Sequence, residues 1–268
     1  MSPTSHPTSP SRLPSANPAF ETRTVGSIPF CVASPEEATS WLLDSESRHA
    51  SPVNVRLANA YNVALADEDP AYRDLLAQEG VNFPDGTPIV WFMNLQRPRH
   101  AKRVRGPSLF VRAMQDSLQH GTRHFLLGGT PETLQRLEEA LAATYPGICV
   151  VGSYSPPFAP VSDDYVADCA KQVRLSKPDL VWVGLGTPKQ DLLGTALARE
   201  CGVTTVNVGA AFDFTAGTVR EAPRWVQRSG LEWLFRLASE PRRLWRRYLI
   251  GNVRFVIAAV RDRERQRT

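Results

Sequence analysis

The chain has 268 residues, of which 42% are hydrophobic and 22% are charged, and its net charge is +4. This length is sufficient for one large domain or two smaller ones with an apolar core. The composition excludes a wholly disordered, fibrous or disulfide-stapled protein. The four cysteines are far apart, form no CxxC pair and have no histidine at metal-ligand spacing. We therefore predict a reducing compartment, no structural disulfide and no metal site.

The charge is unevenly distributed along the chain. From Arg224 to the end there are twelve arginines, no lysine and four acidic residues, an excess of eight positive charges, which leaves the remainder at −4. No apolar run approaches the roughly 18 to 20 residues that span a bilayer. The N-terminus lacks the apolar region of a secretory signal. We predict a cytoplasmic protein whose basic end holds it peripherally on the inner face of the cell membrane.

Residues 1–20 are rich in Ser, Pro and Thr and are predicted to be disordered. Residues 21–223 alternate between short β-branched segments bounded by Gly or Pro and segments with helical spacing. This alternation is typical of βαβ units and predicts an α/β core with a Rossmann-like sheet of mostly parallel strands flanked by helices. The predicted strands are Val53–Ala58, Arg123–Leu127, Ile148–Gly152, Asp179–Leu185 and Val203–Val208.

Capping residues mark two helices of this core. Thr130 and Ser162 are favoured N-cap residues for helices predicted over residues 131–145 and 163–175. Beyond Pro223 the pattern becomes helical and rich in arginine. We predict that residues 224–268 form a basic helical appendage that associates with the membrane.

Three glycine-containing loops follow predicted strands. In open α/β sheets, ligands bind beyond the carboxyl ends of the strands, where backbone N–H groups and helix N-termini favour phosphate. Glycine also ends strands that bind nothing. Neither GxGxxG nor GxxxxGK[ST] is complete here, since Lys189 stands at the third glycine of the first. The candidate ligand-binding residues in these loops are Gly128, Gly129, Gly186, Pro188, Lys189, Gln190 and Asp213.

The most specific local signal is Asp85, which lies between Pro84 and Gly86. A carboxylate fixed on such a turn can act as a general base on a hydroxyl group, although Pro-Asp-Gly is also an ordinary turn sequence. Asn59 follows the first core strand, where it can bond a sugar hydroxyl or cap the next helix. Asp85 is therefore the candidate catalytic residue, and Asn59 and Gly86 are candidate substrate-binding residues.

Aromatic side chains alternate with arginines in the appendage, among them Trp233, Trp245 and Tyr248. This pattern is typical of a helical segment attracted to an anionic lipid surface. A solvated helix face and a nucleic-acid-binding patch are the alternatives. No zinc finger, RNP motif or recognisable helix-turn-helix accompanies the charge, so we prefer the membrane and predict no nucleic-acid partner.

Taken in order, these segments resemble the WecG/TagA/CpsF family of bacterial glycosyltransferases. The resemblance covers roughly residues 50–250 and is carried by several short motifs. They are Asn59, Pro84-Asp85-Gly86 and the segments 103–107, 125–129, 184–191, 208–217, 222–225, 230–237 and 240–243. Each motif is weak alone, but their common order is highly specific.

The resemblance implies an inverting, metal-independent transferase without a cofactor. Such an enzyme moves a sugar from a UDP donor to an undecaprenyl-diphosphate-linked sugar in teichoic acid, exopolysaccharide or other cell-surface polysaccharide synthesis. It implies that Asp85 is the base and that Arg236, Arg243 and Arg247 meet the donor diphosphate and the membrane. Leu57 stands where the family often has Thr, and Asp191 where it often has Glu. The donor sugar can be N-acetylmannosamine or a hexose such as glucose. The sequence also leaves open whether the protein associates with itself.

Two other classes remain as alternatives. A nucleotide-sugar oxidoreductase or epimerase fits the α/β core, but the incomplete GxGxxG disfavours it. A non-enzymatic adaptor that binds membrane or nucleic acid fits the basic appendage. It leaves the Pro-Asp-Gly turn and the three glycine loops unexplained.

Overall fold

A computed structural model describes residues 20–45, 52–95 and 101–265. The side chains of Arg228 and Arg243 lie outside this description. The predicted disorder of residues 1–20 falls almost wholly outside the described residues.

The described chain begins with an antiparallel hairpin of β1 (Thr22–Val25) and β2 (Ile28–Cys31). A six-stranded sheet follows, and every neighbouring pair in it is parallel, which confirms the predicted α/β class. Its strand order is β4-β3-β8-β7-β5-β6. The strands are β3 (Asn54–Ala58), β4 (Val81–Pro84), β5 (Arg123–Gly128), β6 (Cys149–Tyr154), β7 (Leu180–Gly184) and β8 (Thr204–Asn207).

All five predicted strands occur in this sheet, as β3, β5, β6, β7 and β8. The hairpin and β4 were not predicted. Strand β4 has only four residues and includes the polar Asn82, so it lacks the apolar run that marks the other strands. It pairs with β3 alone and forms one edge of the sheet.

Nine helices connect or flank these strands in the described part of the chain before residue 224. They are α1 (Pro35–Leu43), α2 (Ala60–Glu68), α3 (Pro70–Gln78), α4 (Thr87–Asn94), α5 (Gly106–Ser117), α6 (Pro131–Thr144), α7 (Asp163–Ser176), α8 (Lys189–Cys201) and α9 (Ala211–Thr215). The predicted caps are confirmed. The Thr130 hydroxyl accepts from the Thr133 N–H at 3.2 Å, and Ser162 accepts from the Tyr165 N–H at 3.3 Å.

Alternate residues of β5 and β7 enter different apolar clusters, as the two-residue period of a strand requires. On β5, Leu126 packs with residues of α1, α5 and α6 on one face of the sheet. Its neighbour Phe125 packs with residues of α7 and α8 on the other face. Both faces are therefore covered by helices, and ligands have access to the sheet at the carboxyl ends of its strands.

The segment after Pro223 is helical, as predicted. It comprises α10 (Arg224–Ser229), α11 (Glu232–Ser239), α12 (Pro241–Trp245), a π-helical turn (Arg246–Ile250) and α13 (Gly251–Arg265). Pro241 begins a new helix, because its fixed φ and missing N–H suit the first turn. Among the described residues, no helix is both long enough and apolar enough to cross a membrane.

The last helix packs against the α/β core. Phe255, Ala258 and Ala259 of α13 are buried in the apolar cluster that contains residues of α2, α3 and the hairpin. Arg254 and Arg261 form ion pairs with Glu68 and Asp67 at the end of α2. These contacts fix the C-terminal segment where it returns past the carboxyl ends of the strands.

Candidate active site

A cleft lies at the carboxyl ends of β3, β4, β7 and β8, and the C-terminal segment forms one of its walls. Open α/β sheets bind their ligands beyond the carboxyl ends of their strands. The predicted site residues that line it are Asn59, Asp85, Gly86, Gly186, Gln190, Asp213, Arg236 and Arg247. Residues separated by up to 188 positions in the chain thus meet at one site.

Asp85 follows the last residue of β4 and is held from both sides. Its backbone N–H donates to the Ala58 carbonyl at 2.8 Å, which joins the ends of β4 and β3. Its Oδ2 accepts from the Gly106 N–H at 3.1 Å, and its Oδ1 accepts from Nε and Nη2 of Arg103 at 3.3 and 3.1 Å. The side chain is 18% exposed. This carboxylate is rigidly placed yet open to the cleft.

Arg103 connects Asp85 to the C-terminal segment. Its Nη2 also donates to Oε2 of Glu232 at 2.7 Å, and its Nη1 donates to the Gln227 carbonyl at 3.3 Å. Burial alone would lower the pKa of Arg103, but the charges of Asp85 and Glu232 outweigh it and raise that pKa. Arg103 is thus a permanent cation shared by two carboxylates.

Arg105 also donates hydrogen bonds to Glu232, so this carboxylate contacts two guanidinium groups. Nε and Nη2 of Arg105 donate to Glu232 Oε1 at 3.1 and 2.7 Å, and Arg105 also pairs with Glu221. Burial acts to raise the pKa of Glu232, but the hydrogen bonds and charges of Arg105 and Arg103 lower it overall. Two arginines and three carboxylates therefore form one partly buried network beside the cleft.

Asn59 is the N-cap residue of α2. Its Oδ1 accepts from the Tyr61 N–H at 3.0 Å, and its own backbone N–H donates to Asn62 Oδ1 at 3.0 Å. The capping alternative of the sequence analysis therefore holds, and the residue also lines the cleft. Because the carbonyl oxygen serves the helix, the amide N–H groups are the part of Asn59 suited to a ligand.

The loops after β7 and β8 bring backbone groups to the cleft. Gly186 has φ +76° and Gly209 has φ +54°, conformations that glycine adopts without strain. The Gly186 N–H donates to Gln190 Oε1 at 3.0 Å, so this side chain braces the loop in which α8 begins. The N-terminal end of α8 and the loop containing Gly209 are suited to negative charge.

Arg236 and Arg247 bring two further guanidinium groups to the cleft from the C-terminal segment. The Arg236 guanidinium lies 5.6 Å from the centre of the Phe214 ring, and that of Arg247 lies 4.6 Å from the centre of the Tyr61 ring. Stacking on an aromatic ring holds such a group in place while its N–H donors face outward.

Several predicted residues are placed elsewhere. Gly128, Gly129, Pro188 and Lys189 do not line the described cleft. A Cβ on Gly128 would lie 2.7 Å from the Gly184 carbonyl oxygen, so glycine is needed there for the close approach of β5 and β7. The Lys189 Nζ lies 4.3 Å from the centre of the Tyr165 ring. The side chain of Arg243 is outside the described residues.

A buried polar network supports the floor of the cleft. Asp191 is 1% exposed and accepts from the Tyr72 hydroxyl at 2.6 Å and from Asn207 Nδ2 at 2.9 Å. Arg56 is fully buried and donates to Thr195 at 3.1 Å. Burial raises the pKa of Asp191 and lowers that of Arg56, as expected for charges removed from water. Asn207 itself lines the cleft, so the network reaches the site.

Four residues of the site and its supporting network were not predicted from the sequence: Arg103, Arg105, Glu232 and Asp191. Arg103 and Arg105 are in a motif that carried the resemblance, and Glu232 is in another. Their charges were visible, but nothing in the sequence indicated that they pair across more than 120 positions.

The fold and the cleft define a Rossmann-like protein in which arginines and a fixed carboxylate line a cleft at the carboxyl ends of the strands. The model of the glycosyl transferase WecG/TagA/CpsF family matches residues 23–268. The chain therefore belongs to this family, and family membership implies a glycosyltransferase-type function in cell-surface polysaccharide synthesis.

Proposed function

We propose that the protein transfers a sugar from a UDP donor to an undecaprenyl-diphosphate-linked sugar, with inversion at the anomeric carbon and without a metal ion. The observation that carries this proposal is Asp85, a fixed carboxylate in the same cleft as the guanidinium groups of Arg236 and Arg247 and two glycine loops. A base and an anion-binding region are the two elements that such a transfer needs.

In the proposed reaction, Asp85 accepts the proton of the acceptor hydroxyl as that oxygen attacks the anomeric carbon. A new glycosidic bond forms on the face opposite the donor phosphate, and the bond between the anomeric carbon and the diphosphate oxygen breaks. The departing UDP takes the electron pair of that bond. Arg103 and the Gly106 N–H keep the carboxylate aimed at the cleft during this step.

The negative charge that develops on the leaving diphosphate requires donors already in place. Arg236 and Arg247 line the cleft, and the loops containing Gly186 and Gly209 bring backbone groups to it. Arg243, named from the resemblance, has the same proposed role. Asn59 and Gly86, beside Asp85, are proposed to contact the acceptor sugar, and Gln190 and Asp213 to contact the donor. Gly128, Gly129, Pro188 and Lys189 have no part in this proposal.

Binding measurements test the donor site without requiring turnover. Calorimetry with UDP is expected to give saturable 1:1 binding, whereas NAD is expected not to bind. Absence of UDP binding would contradict the proposal. Binding of NAD in place of UDP would instead favour the oxidoreductase class.

The charge of Arg236 gives a sharper test. Arg236→Ala is expected to lower kcat by about 10²- to 10³-fold, the usual effect of removing one donor from a developing negative charge. Arg242→Ala is the matched control, since Arg242 is exposed on α12 and does not line the cleft. Equal activity of the two variants in a steady-state transfer assay would remove Arg236 from this role.

The membrane part of the proposal rests on the exposed surface of the C-terminal helices. Val253, Val256, Ile257 and Val260 of α13 are each between 42% and 61% exposed and recur at helical spacing. Trp225 and Leu249 are 71% and 55% exposed on the same segment. An apolar face flanked by arginines is suited to an anionic lipid surface.

Vesicle sedimentation tests this surface. The protein is expected to bind vesicles that contain an anionic lipid, and binding should weaken as salt is raised, because each arginine contributes about 1 kcal/mol through screened charge. Val256→Asp combined with Ile257→Asp should abolish most of that binding. Leu175→Asp on α7 should not, although Leu175 is 71% exposed. Equal loss in both variants would contradict the assignment of this face.

A further inference from the structure

Glu232 is the first residue of α11 and is the acidic link between the C-terminal segment and the loop that leads into α5. Its side chain is only 12% exposed. Both of its oxygens are occupied by guanidinium donors, Oε2 by Arg103 at 2.7 Å and Oε1 by Arg105 at 2.7 Å. Charge-assisted contacts of this length are among the strongest polar interactions in proteins.

The same Arg103 holds the Asp85 carboxylate. One of its nitrogens, Nη2, donates to Asp85 Oδ1 at 3.1 Å and to Glu232 Oε2 at 2.7 Å. The shorter contact is the one to Glu232. Arg103 is therefore divided between the two carboxylates, and its position relative to Asp85 depends on Glu232.

We infer that Glu232 is a positioning residue for the reaction. It docks α10 and α11 onto the cleft, and by sharing Arg103 it sets the position of that cation relative to the Asp85 carboxylate. This inference rests on the proposed function, because it takes Asp85 as the base. Glu232 itself faces its two arginines and is not assigned a contact with either substrate.

The charged groups around Asp85 determine the direction of the expected effect. Those that face it or share its network or cleft are Arg103, Arg105, Glu221, Glu232, Arg236, Arg247 and Asp213, and the phenols of Tyr61 and Tyr248 border the same cleft. Replacing Glu232 with Gln removes one negative charge and leaves every positive charge in place. The positive charge of Arg103 then acts on the Asp85 carboxylate without the opposing charge of Glu232.

The pH profile of kcat/KM for Glu232→Gln is the first measurement. Its acid limb should move to lower pH by about one unit, because the variant removes the charge of Glu232 from direct contact with Arg103, the partner of Asp85. The plateau should also fall, since Arg103 is no longer held in the same position beside Asp85 and α11 is less firmly docked. Glu232→Asp keeps the charge, so its limb should stay near that of the wild type even if its plateau falls.

A purely structural role would give a different result. A lower plateau with an unmoved acid limb in Glu232→Gln would overturn the coupling to Asp85. Glu240→Gln removes the same charge from the same segment outside the described cleft, and its limb should not move. If Glu232→Gln does not fold, a limb shift in Glu232→Asp as large as one unit would equally overturn the inference, since that variant retains the charge.

Docking is measured separately from turnover. Limited trypsin digestion of the full chain should cut after Arg224 or Arg236 faster in Glu232→Gln than in the wild type or in Glu240→Gln. Equal protection in all three proteins would overturn the docking role. If the wild type transfers no sugar at all, the proposed function fails, whereas the digestion result still decides whether Glu232 docks the segment.

Discussion

Replacing Asp85 with Asn is expected to lower kcat by about 10²- to 10⁴-fold, the range that a positioned general base contributes. The side chain keeps its size, so an amide oxygen can still accept from the Gly106 N–H that now bonds Oδ2. The variant loses the ability to take a proton from the acceptor hydroxyl, and Arg103 loses the Oδ1 acceptor of its two hydrogen bonds. UDP binding should be almost unchanged, because donors of the C-terminal segment and the glycine loops are proposed to hold the diphosphate.

The control for this variant is Asp116→Asn, which changes an exposed carboxylate on α5. It should retain wild-type turnover. Pre-steady-state measurement of sugar transfer separates the chemical step from product release in both variants. Wild-type turnover in Asp85→Asn would remove Asp85 from the role of base. Loss of both UDP binding and turnover would indicate that the carboxylate is needed to form the cleft.

Replacing Asp191 with Ala is expected to destabilise the fold by about 3 to 5 kcal/mol, the cost of leaving a buried charge without its partner. Arg56 is fully buried, and Asp191 is the first of the groups whose charge acts to raise the pKa of its guanidinium, ahead of Tyr72 and Glu79. Tyr72 and Asn207 would also lose the acceptor of their hydrogen bonds.

Urea denaturation followed by circular dichroism measures this loss, provided that the m-value stays constant between proteins. Asp116→Ala removes an exposed carboxylate and should change the free energy of unfolding by no more than about 0.5 kcal/mol. A similarly small change for Asp191→Ala would contradict the assigned charge balance. Asp191→Asn should fall between the two, because Tyr72 keeps an acceptor while the charge is lost.

The α/β class could be predicted from the sequence because a buried parallel strand is a short apolar run that can be recognised within one segment of the chain. β7 is a nearly continuous apolar run bounded by Asp179 and Gly184, and it was found as such. β4 was missed because its four residues are interrupted by Asn82, whose amide donates to the Leu76 and Pro29 carbonyls. That reason for a polar residue in a strand exists only in the folded chain.

Two neighbouring residues of the loop after β7 differ in whether they line the cleft, and helix geometry explains the difference. Lys189 and Gln190 are consecutive at the start of α8, and consecutive residues of a helix point about 100° apart. Gln190 therefore lines the cleft, whereas Lys189 lies against Tyr165. A motif identifies the loop, but which of its side chains faces a ligand depends on the helix orientation.

The ion network around Arg103 could not be predicted from local patterns. Glu232 is 129 positions from Arg103, and its apolar neighbours Leu231 and Trp233 indicated only a helix at an interface. The packing of α13 on α2 brings this segment back over the strand ends. The charge of the C-terminal segment was visible in the sequence, but the contact of Glu232 with the arginine that holds Asp85 was not.

Product analysis by mass spectrometry tests the proposed sugar transfer directly. Purified protein is incubated with a synthetic GlcNAc-diphosphate lipid and each of a panel of UDP-sugars, with and without EDTA. We predict that the lipid gains the mass of one sugar from one donor, unaffected by EDTA, and that the gained mass identifies a hexosamine or a hexose. An unchanged lipid with every donor, from protein that also fails to bind UDP, would contradict the proposed sugar transfer.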